Sequence, residues 1–596
     1  MKRIFLMIAV SLTLNGCLKE PELTQKEDSG KLPENTVIQP GNDIASGVDM
    51  LEGKLPLRYG FSGDGHRLIA GAGLRLAFYD IDHIRRVDLN FAQSNWWSLL
   101  MNNRSSKTDI PARMSYNGTE LPSNVGVRFK GFTSYDRNNS EKKSFAISID
   151  YEDDKQKVDG YNDLNFNCAY SDNSFMREVI YGAVNQRYIT ALSVNYIDLY
   201  INGTYWGIYI NSQQVDNDLI EEWYLSKKGS RWRAESPASS NGMTGGGVRP
   251  GGGMPGGGMP GGGGQGGGGG MGAGTSSLNY LGDKGSSYEQ YYTLKKTYRN
   301  DPWQDLANVC KVLNQTSTSE LEAKVCEVLD LDRTLWFLAC EIIFADDDSY
   351  VNKGGMDYYI FWCPATGRLT PIEYDGNEVL LSSHTSWSPF YNATNTNYPL
   401  LNKLLNVPNI RQRYLAHFRT ILEESFNPDA MNEMIDQNAA RIDDYIRNDP
   451  KKMMTYAQFT NEVSNLKNII NTRYNYLMSN SEVNIKGLTI NDVQWSVNGV
   501  AWAQPSKDDR VYVTAKIDGS IGVETVFLYG STGLAGNFSP VEMVSAGNGV
   551  YGCYIPAQNQ GVRVRFYIEA TAANSAKTKT YNPARAEHDV YTYVVQ

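Results

Sequence analysis

Residues 242–274 are almost pure glycine, with repeated Gly-Met-Pro-Gly-Gly-Gly units. Such a stretch cannot bury enough apolar area to offset its chain entropy, so it is expected to be disordered and to belong to no core. A phosphate-cradling loop is the sharper reading of so many glycines. No strand leads into this one, however, and no Gly-Lys-Ser/Thr follows it. The segment therefore divides the chain into strand-like sequence before it and helix-like sequence after it. At 596 residues the chain is also too long for one core, so two or more domains are expected.

The N-terminus is expected to be an exported lipoprotein leader. Lys2 and Arg3 precede the apolar run Ile4 to Leu14, which is too short to span a bilayer permanently. Leu14-Asn15-Gly16-Cys17 resembles a lipobox, so residues 1–16 read as signal peptide and Cys17 as the lipidated first mature residue. Residues 17–57 then form a polar, flexible tether. The expected partner of this end is a membrane, and the expected address is the cell envelope, at the outer membrane. The net charge of −10 excludes a general nucleic-acid binder. The six later cysteines form no CxxC pair and read as small buried residues, with a Cys310–Cys326 bridge left open. Five scattered histidines give no zinc pattern.

Alternation marks strands at Val125–Gly131 and Ser144–Asp150, and Tyr196–Ile210 reads as a hairpin about Asn202-Gly203. Three-to-four spacing predicts helices at Leu331–Ala345, Leu400–Phe426 and Phe459–Leu477. From 484 to 596 short strands alternate with Gly, Asn and Asp turns, as in a small all-β sandwich of immunoglobulin-like type. The expected fold class is α+β: a mixed domain over 58–480, followed by the sandwich.

The residues that could do chemistry lie in one run. Asp346-Asp347-Asp348 follows an apolar helix, with Asn352 in the same loop; a predicted hairpin then delivers Asp375-Gly376-Asn377. Helix, acidic loop, hairpin and Asp-Gly follow the logic of a kinase centre, where hard oxygen ligands suit Mg²⁺. A cation for the phosphates is expected from the early strands. Strand parity places Lys143 inward beside Phe145, which favours it over Lys142, while Arg128 and Lys130 share a face of the preceding strand.

At these residues the chain resembles the spore-coat-protein-H (CotH) kinase family. The matching stretches are Val125–Ser134, Lys142–Phe145, Leu164–Asn167, Phe175–Glu178, the hairpin through Gln214-Val215-Asp216, Asp348-Ser349-Tyr350 and Tyr374-Asp375. The resemblance implies an atypical protein-kinase-like fold that uses ATP with Mg²⁺ or Mn²⁺ and phosphorylates serine or threonine of protein substrates. It also implies Lys143 on the nucleotide phosphates, Asp348 as the catalytic-loop aspartate and Asp375 on metal. Three positions depart from the family: Asp357 stands for the usual Asn, with Asn352 as the other metal candidate, Gln213 for an acid, and Asn377 for the second aspartate of Trp-Asp-x-Asp. A non-catalytic surface protein on the same scaffold is the alternative, since ATP is expected to be scarce outside the cytoplasm.

Overall fold

Apolar alternation along Val125–Lys130 turns Val125, Val127 and Phe129 inward and leaves Arg128 and Lys130 outward. The computed structural model describes residues 55–73, 77–131, 133–235, 276–353 and 355–596. The signal peptide, Cys17, the tether as far as residue 54 and the glycine-rich insertion lie outside them. Among the described residues no helix is long and apolar enough to cross a membrane.

Seven strands close into a barrel. Their order is Arg85–Asn90, Val194–Ile201, Thr204–Gln213, Asp163–Asn167, Ser144–Ser148, Val125–Lys130 and Ile110–Tyr116, which pairs back onto the first. Closure leaves no unpaired edge, and Val87, Leu89, Met114, Val127, Phe145, Ile147, Leu164 and Phe166 fill the inside. The predicted hairpin turns at Asn202 and Gly203, both at positive φ as a type I′ turn requires.

A helical body packs beside the barrel. Its axis is Leu331–Phe344, in which every residue except Arg333 is buried, the carboxylates Asp332 and Glu341 included. Tyr456–Met478 extends the predicted helix by a few residues. The helix predicted over Leu400–Phe426 is instead two pieces, Pro399–Asn402 and Pro408–Glu424. Proline cannot continue a helix but fits its first turn, so each piece starts on one. Pro428–Asn448, a helix the spacing analysis did not mark, runs back toward the barrel. A four-stranded sheet of Ser230–Arg233, Thr293–Thr297, Tyr359–Cys363 and Arg368–Ile372 contains the predicted acidic-site hairpin.

The C-terminal region forms two antiparallel sheets over one core that includes Trp495, Val513, Leu528, Phe566 and Ile568. The sequence placed everything from residue 58 in the mixed domain. The structure instead gives Tyr59–Phe61 and Arg67–Ala70 to this sandwich, where the second pairs with Asp589–Val594. These strands are short, and nothing local in them reports a partner more than 500 residues away. The sandwich is fastened to the body by Arg413, which bonds Asp332 and Glu587, and by Trp336, which donates to the Ala586 carbonyl. Cys310 and Cys326 are both free, so the bridge left open by the sequence is not formed.

Barrel and body are joined at a buried ion pair. Lys142 and Asp449, both fully buried, bond through Nζ and Oδ2, and Lys142 also lies over the rings of Tyr209 and Phe175. The Asp449 carboxylate accepts from the Ile208 amide at 3.2 Å and sits where a Cβ on Gly207 would be, only 2.3 Å from it. Glycine at φ +116 is therefore required there. Asp449→Ala should strand the lysine and cost about 3–5 kcal/mol in denaturant unfolding. A loss below about 1 kcal/mol would show that the pair does not hold the two parts together.

Candidate functional site

The acidic loop begins where the central helix is made to stop. Ala345 takes a left-handed conformation, and the Asp346 amide reaches back to the Glu341 carbonyl at 3.0 Å. Arg473, fully buried on Tyr456–Met478, then caps the helix by donating to the carbonyls of Ile342 (2.5 Å) and Ile343 (3.1 Å). The same guanidinium holds the carbonyls of Thr385 and Trp387, so the segment after the Asp-Gly turn is fixed to the helix end. The Asp347 amide donates to the Glu378 carbonyl at 3.3 Å, and the Leu380 amide to that of Phe344 at 2.9 Å. The two acidic elements predicted from sequence are thus stitched side by side.

The hairpin Tyr359–Cys363/Arg368–Ile372 delivers Asp375 in a left-handed conformation, φ 63°, which aspartate tolerates better than most residues. Gly376 follows because a Cβ there would lie 2.0 Å from the ring of Tyr181. Tyr181 in turn donates to Glu341 Oε1 at 3.0 Å behind the site.

The three aspartates of the triplet have separate environments. Asp346 is buried and accepts the Asp348 amide at 3.1 Å, and burial raises its carboxyl well above the ordinary range. Asp347 accepts from His384 (2.7 Å), Asn352 (2.9 Å) and Lys353 (3.1 Å), and the His384 hydrogen bond leads in holding it down at about 2. Asp347 is therefore fully committed as a hub. Asp348 keeps only Lys353, 3.4 Å away, and burial together with Asp357, Glu378 and Asp375 pushes it up to about 7. Of the triplet, Asp348 is the carboxylate that remains available.

Asp375 is likewise raised to about 7, first by burial and then by Glu178, against the pull of Lys130 and Arg233. Glu178 opens the helix Arg177–Asn185, accepts two bonds from Asn167 Nδ2 (2.9 and 3.0 Å) and is itself raised by burial. Asp357 pairs with Arg233 at 2.5 Å and borders both Asp348 and Asp375. One acidic site thus brings together Asp348, Asp357, Asp375, Glu178 and Glu378 with Lys130, Arg233 and Lys353.

The cationic expectations need correction. Lys143 does not point inward: its Nζ donates to the carbonyls of Tyr135 (3.0 Å) and Asn138 and lies over the Tyr135 ring. The Lys143 amide bonds the Glu141 carbonyl in a tight turn and the strand starts only at Ser144, so strand parity does not run back to 143. Lys142 is spent on Asp449, and Arg128 is drawn to Asp109 at 2.8 Å. Lys130 is the candidate that burial lowers and that the charges of Asp375 and Glu178 pull back up. Asn352 is occupied between Asp347 and the Tyr391 hydroxyl, 3.2 Å away, which leaves Asp357 nearer the cleft's carboxylates. Gln213 spans Ser193 and Glu222 as a structural bridge.

Among the described residues no three His, Cys, Asp or Glu side chains already converge as a metal cage. Mg²⁺ does not require one, since it takes one or two protein carboxylates and completes its shell with phosphate oxygens and water. Carboxylates that repel each other in a poorly solvated cleft fit such an ion.

A family model described as CotH kinase protein matches residues 127–477, more than half of the chain and all of this site. No curated protein matches the chain.

The pH response follows from the raised carboxyls. A group held above its ordinary value costs the folded state nothing while both forms are protonated, below about pH 4, and the cost grows as the pH rises through about 7. Without divalent metal, the melting temperature should fall between about pH 5 and pH 8, and Asp348→Asn/Asp375→Asn should remove most of that fall. An unchanged profile in the double variant would show that these two groups are not the strained ones.

Proposed function

Because the chain belongs to the CotH kinase family, we propose that it transfers a phosphoryl group from ATP to serine or threonine hydroxyls of exported or surface proteins. The observation that carries this reading is that the acidic loop and the Asp-Gly turn are bonded side by side, through the Asp347 amide to Glu378 and the Leu380 amide to Phe344, with Asp348 and Asp375 both raised to about 7. Phosphoryl transfer is largely positioning and charge stabilisation, and a cluster of acids beside a lysine supports such a role.

In this reading Asp375 holds Mg²⁺ or Mn²⁺, with Asp357 as second ligand. The bound ion supplies neutralisation of the triphosphate. Lys130 orients the phosphate oxygens and is itself oriented by Glu178. Asp348 accepts the proton of the attacking hydroxyl, and a carboxyl near 7 is well matched to that task at neutral pH. Lys353, bonded to Glu378 at 2.7 Å and close to Asp348, keeps the acidic loop and the Asp-Gly turn in register. Lipidation at Cys17 and an outer-membrane address remain part of the proposal, supported by the leader sequence.

The mature chain should show a melting-temperature rise with ATP and Mg²⁺ and should label protein hydroxyls from ATP. Asp375→Ala should abolish the rise, and Asp348→Asn should lower turnover by on the order of 10²-fold or more while nucleotide still binds. An equal rise in Asp375→Ala would reject the site. Binding without transfer under any metal would favour a non-catalytic surface protein.

A further inference from the structure

Away from the cleft, a cavity of about 70 Å³ lies where the helical body meets the sandwich. Three elements converge on it, each bringing one arginine: Arg333 from the first turn of the central helix, Arg368 from the start of the hairpin's return strand, and Arg565 from the strand Arg563–Ala572. We propose that this cavity is a binding site for a small tetrahedral oxyanion, phosphate or sulfate.

The case rests on how the three guanidinium groups are partnered. Arg565 Nε donates to the Gly533 carbonyl at 2.7 Å, and Nη2 to Gly536 O (3.0 Å) and Ser531 Oγ (3.2 Å). These are neutral acceptors, and among the described residues no carboxylate pairs with Arg565. Among the described residues Arg368 makes a single side-chain hydrogen bond, from Nη2 to the Ala535 carbonyl at 3.5 Å, and its buried Nε makes none. Arg333 donates to the Tyr59 hydroxyl at 2.5 Å and lies 3.7 Å from Asp330. Burial leads in lowering Arg565 to about 10, and Arg368 and Arg333 add to the effect by repulsion.

Two of the three carboxylates at the wall are committed to residues outside it, and the third, Asp330, serves Arg333 alone. Asp332 bonds Arg413 and His417, both at 2.8 Å, Glu587 bonds Arg413 at 2.6 Å, and Asp330 caps the helix amide of Arg333 at 3.3 Å. Two arginines without a counter-ion in a confined space are costly, and an anion removes that cost. Guanidinium forks match tetrahedral oxyanions geometrically, which lysines do not. The cavity is several times the roughly 10–15 Å³ that one water needs, so an ion of phosphate size fits and a nucleotide does not.

The proposal is independent of the kinase reading, and the test keeps the two apart. The mature chain is melted in a phosphate- and sulfate-free buffer against increasing phosphate or sulfate, with sodium chloride at matched ionic strength as reference. Phosphate and sulfate should each raise the melting temperature saturably beyond chloride. Arg368→Gln, which gives up only one long contact, should weaken the effect by at least tenfold, and Arg368→Lys should weaken it less. Lys130→Met should leave it unchanged. No rise beyond chloride, an equal rise in Arg368→Gln, or loss of the rise in Lys130→Met would each overturn the assignment, the last by placing the anion in the cleft.

Discussion

The site exists only while the barrel and the helical body keep their relative position, and one buried contact between them is ionic. Lys142 from the barrel and Asp449 from the end of a body helix have no water to fall back on. Such a pair adds little net stability over an apolar contact, but it penalises every arrangement in which the charges separate. Lys130, the last residue of the barrel strand Val125–Lys130, comes under the charges of Asp375 and Glu178 only in that arrangement. The contact therefore works as a positional constraint more than as a source of stability.

Much of this was readable from residue patterns. The hairpin at Asn202-Gly203, the central helix, the acidic loop and the strand pair leading to Asp375 all appear where spacing and turn chemistry put them. The lysine assignment failed for a local reason: parity holds only along extended backbone, and the tight turn at 141–143 breaks it one residue before the strand. Arg233 carries no sequence signal of its own, and Glu178 carries one only through its place in the Phe175–Glu178 stretch, because what matters about them is the charge they meet in the site. Arg473 did leave one. It shares the buried face of its helix with Ile469, Ile470 and Leu477, and an arginine on such a face must be satisfied by something specific.

The electrostatics of the cleft divide the labour between neighbouring aspartates by environment. Asp347, bonded to three donors, is fixed in its ionised form, whereas Asp348 one residue later is left responsive to protons and cations. Identical side chains thus act as scaffold and as reactive group. The difference comes from what the segment after the Asp-Gly turn brings to each, His384 to one and only like charges to the other.

The pairing of Arg67–Ala70 with Asp589–Val594 has a mechanical consequence. The first and last strands of the described chain share a sheet, so a pull applied at the N-terminal end bears on the sandwich and, one residue before its first strand, on Arg58, which bonds Glu222 and Ser193. The strand Tyr59–Phe61 at the sheet's edge passes its share to Arg67–Ala70 and through it to Asp589–Val594. A molecule held by that end therefore shares its load between the sandwich and the chain around Ser193 and Glu222.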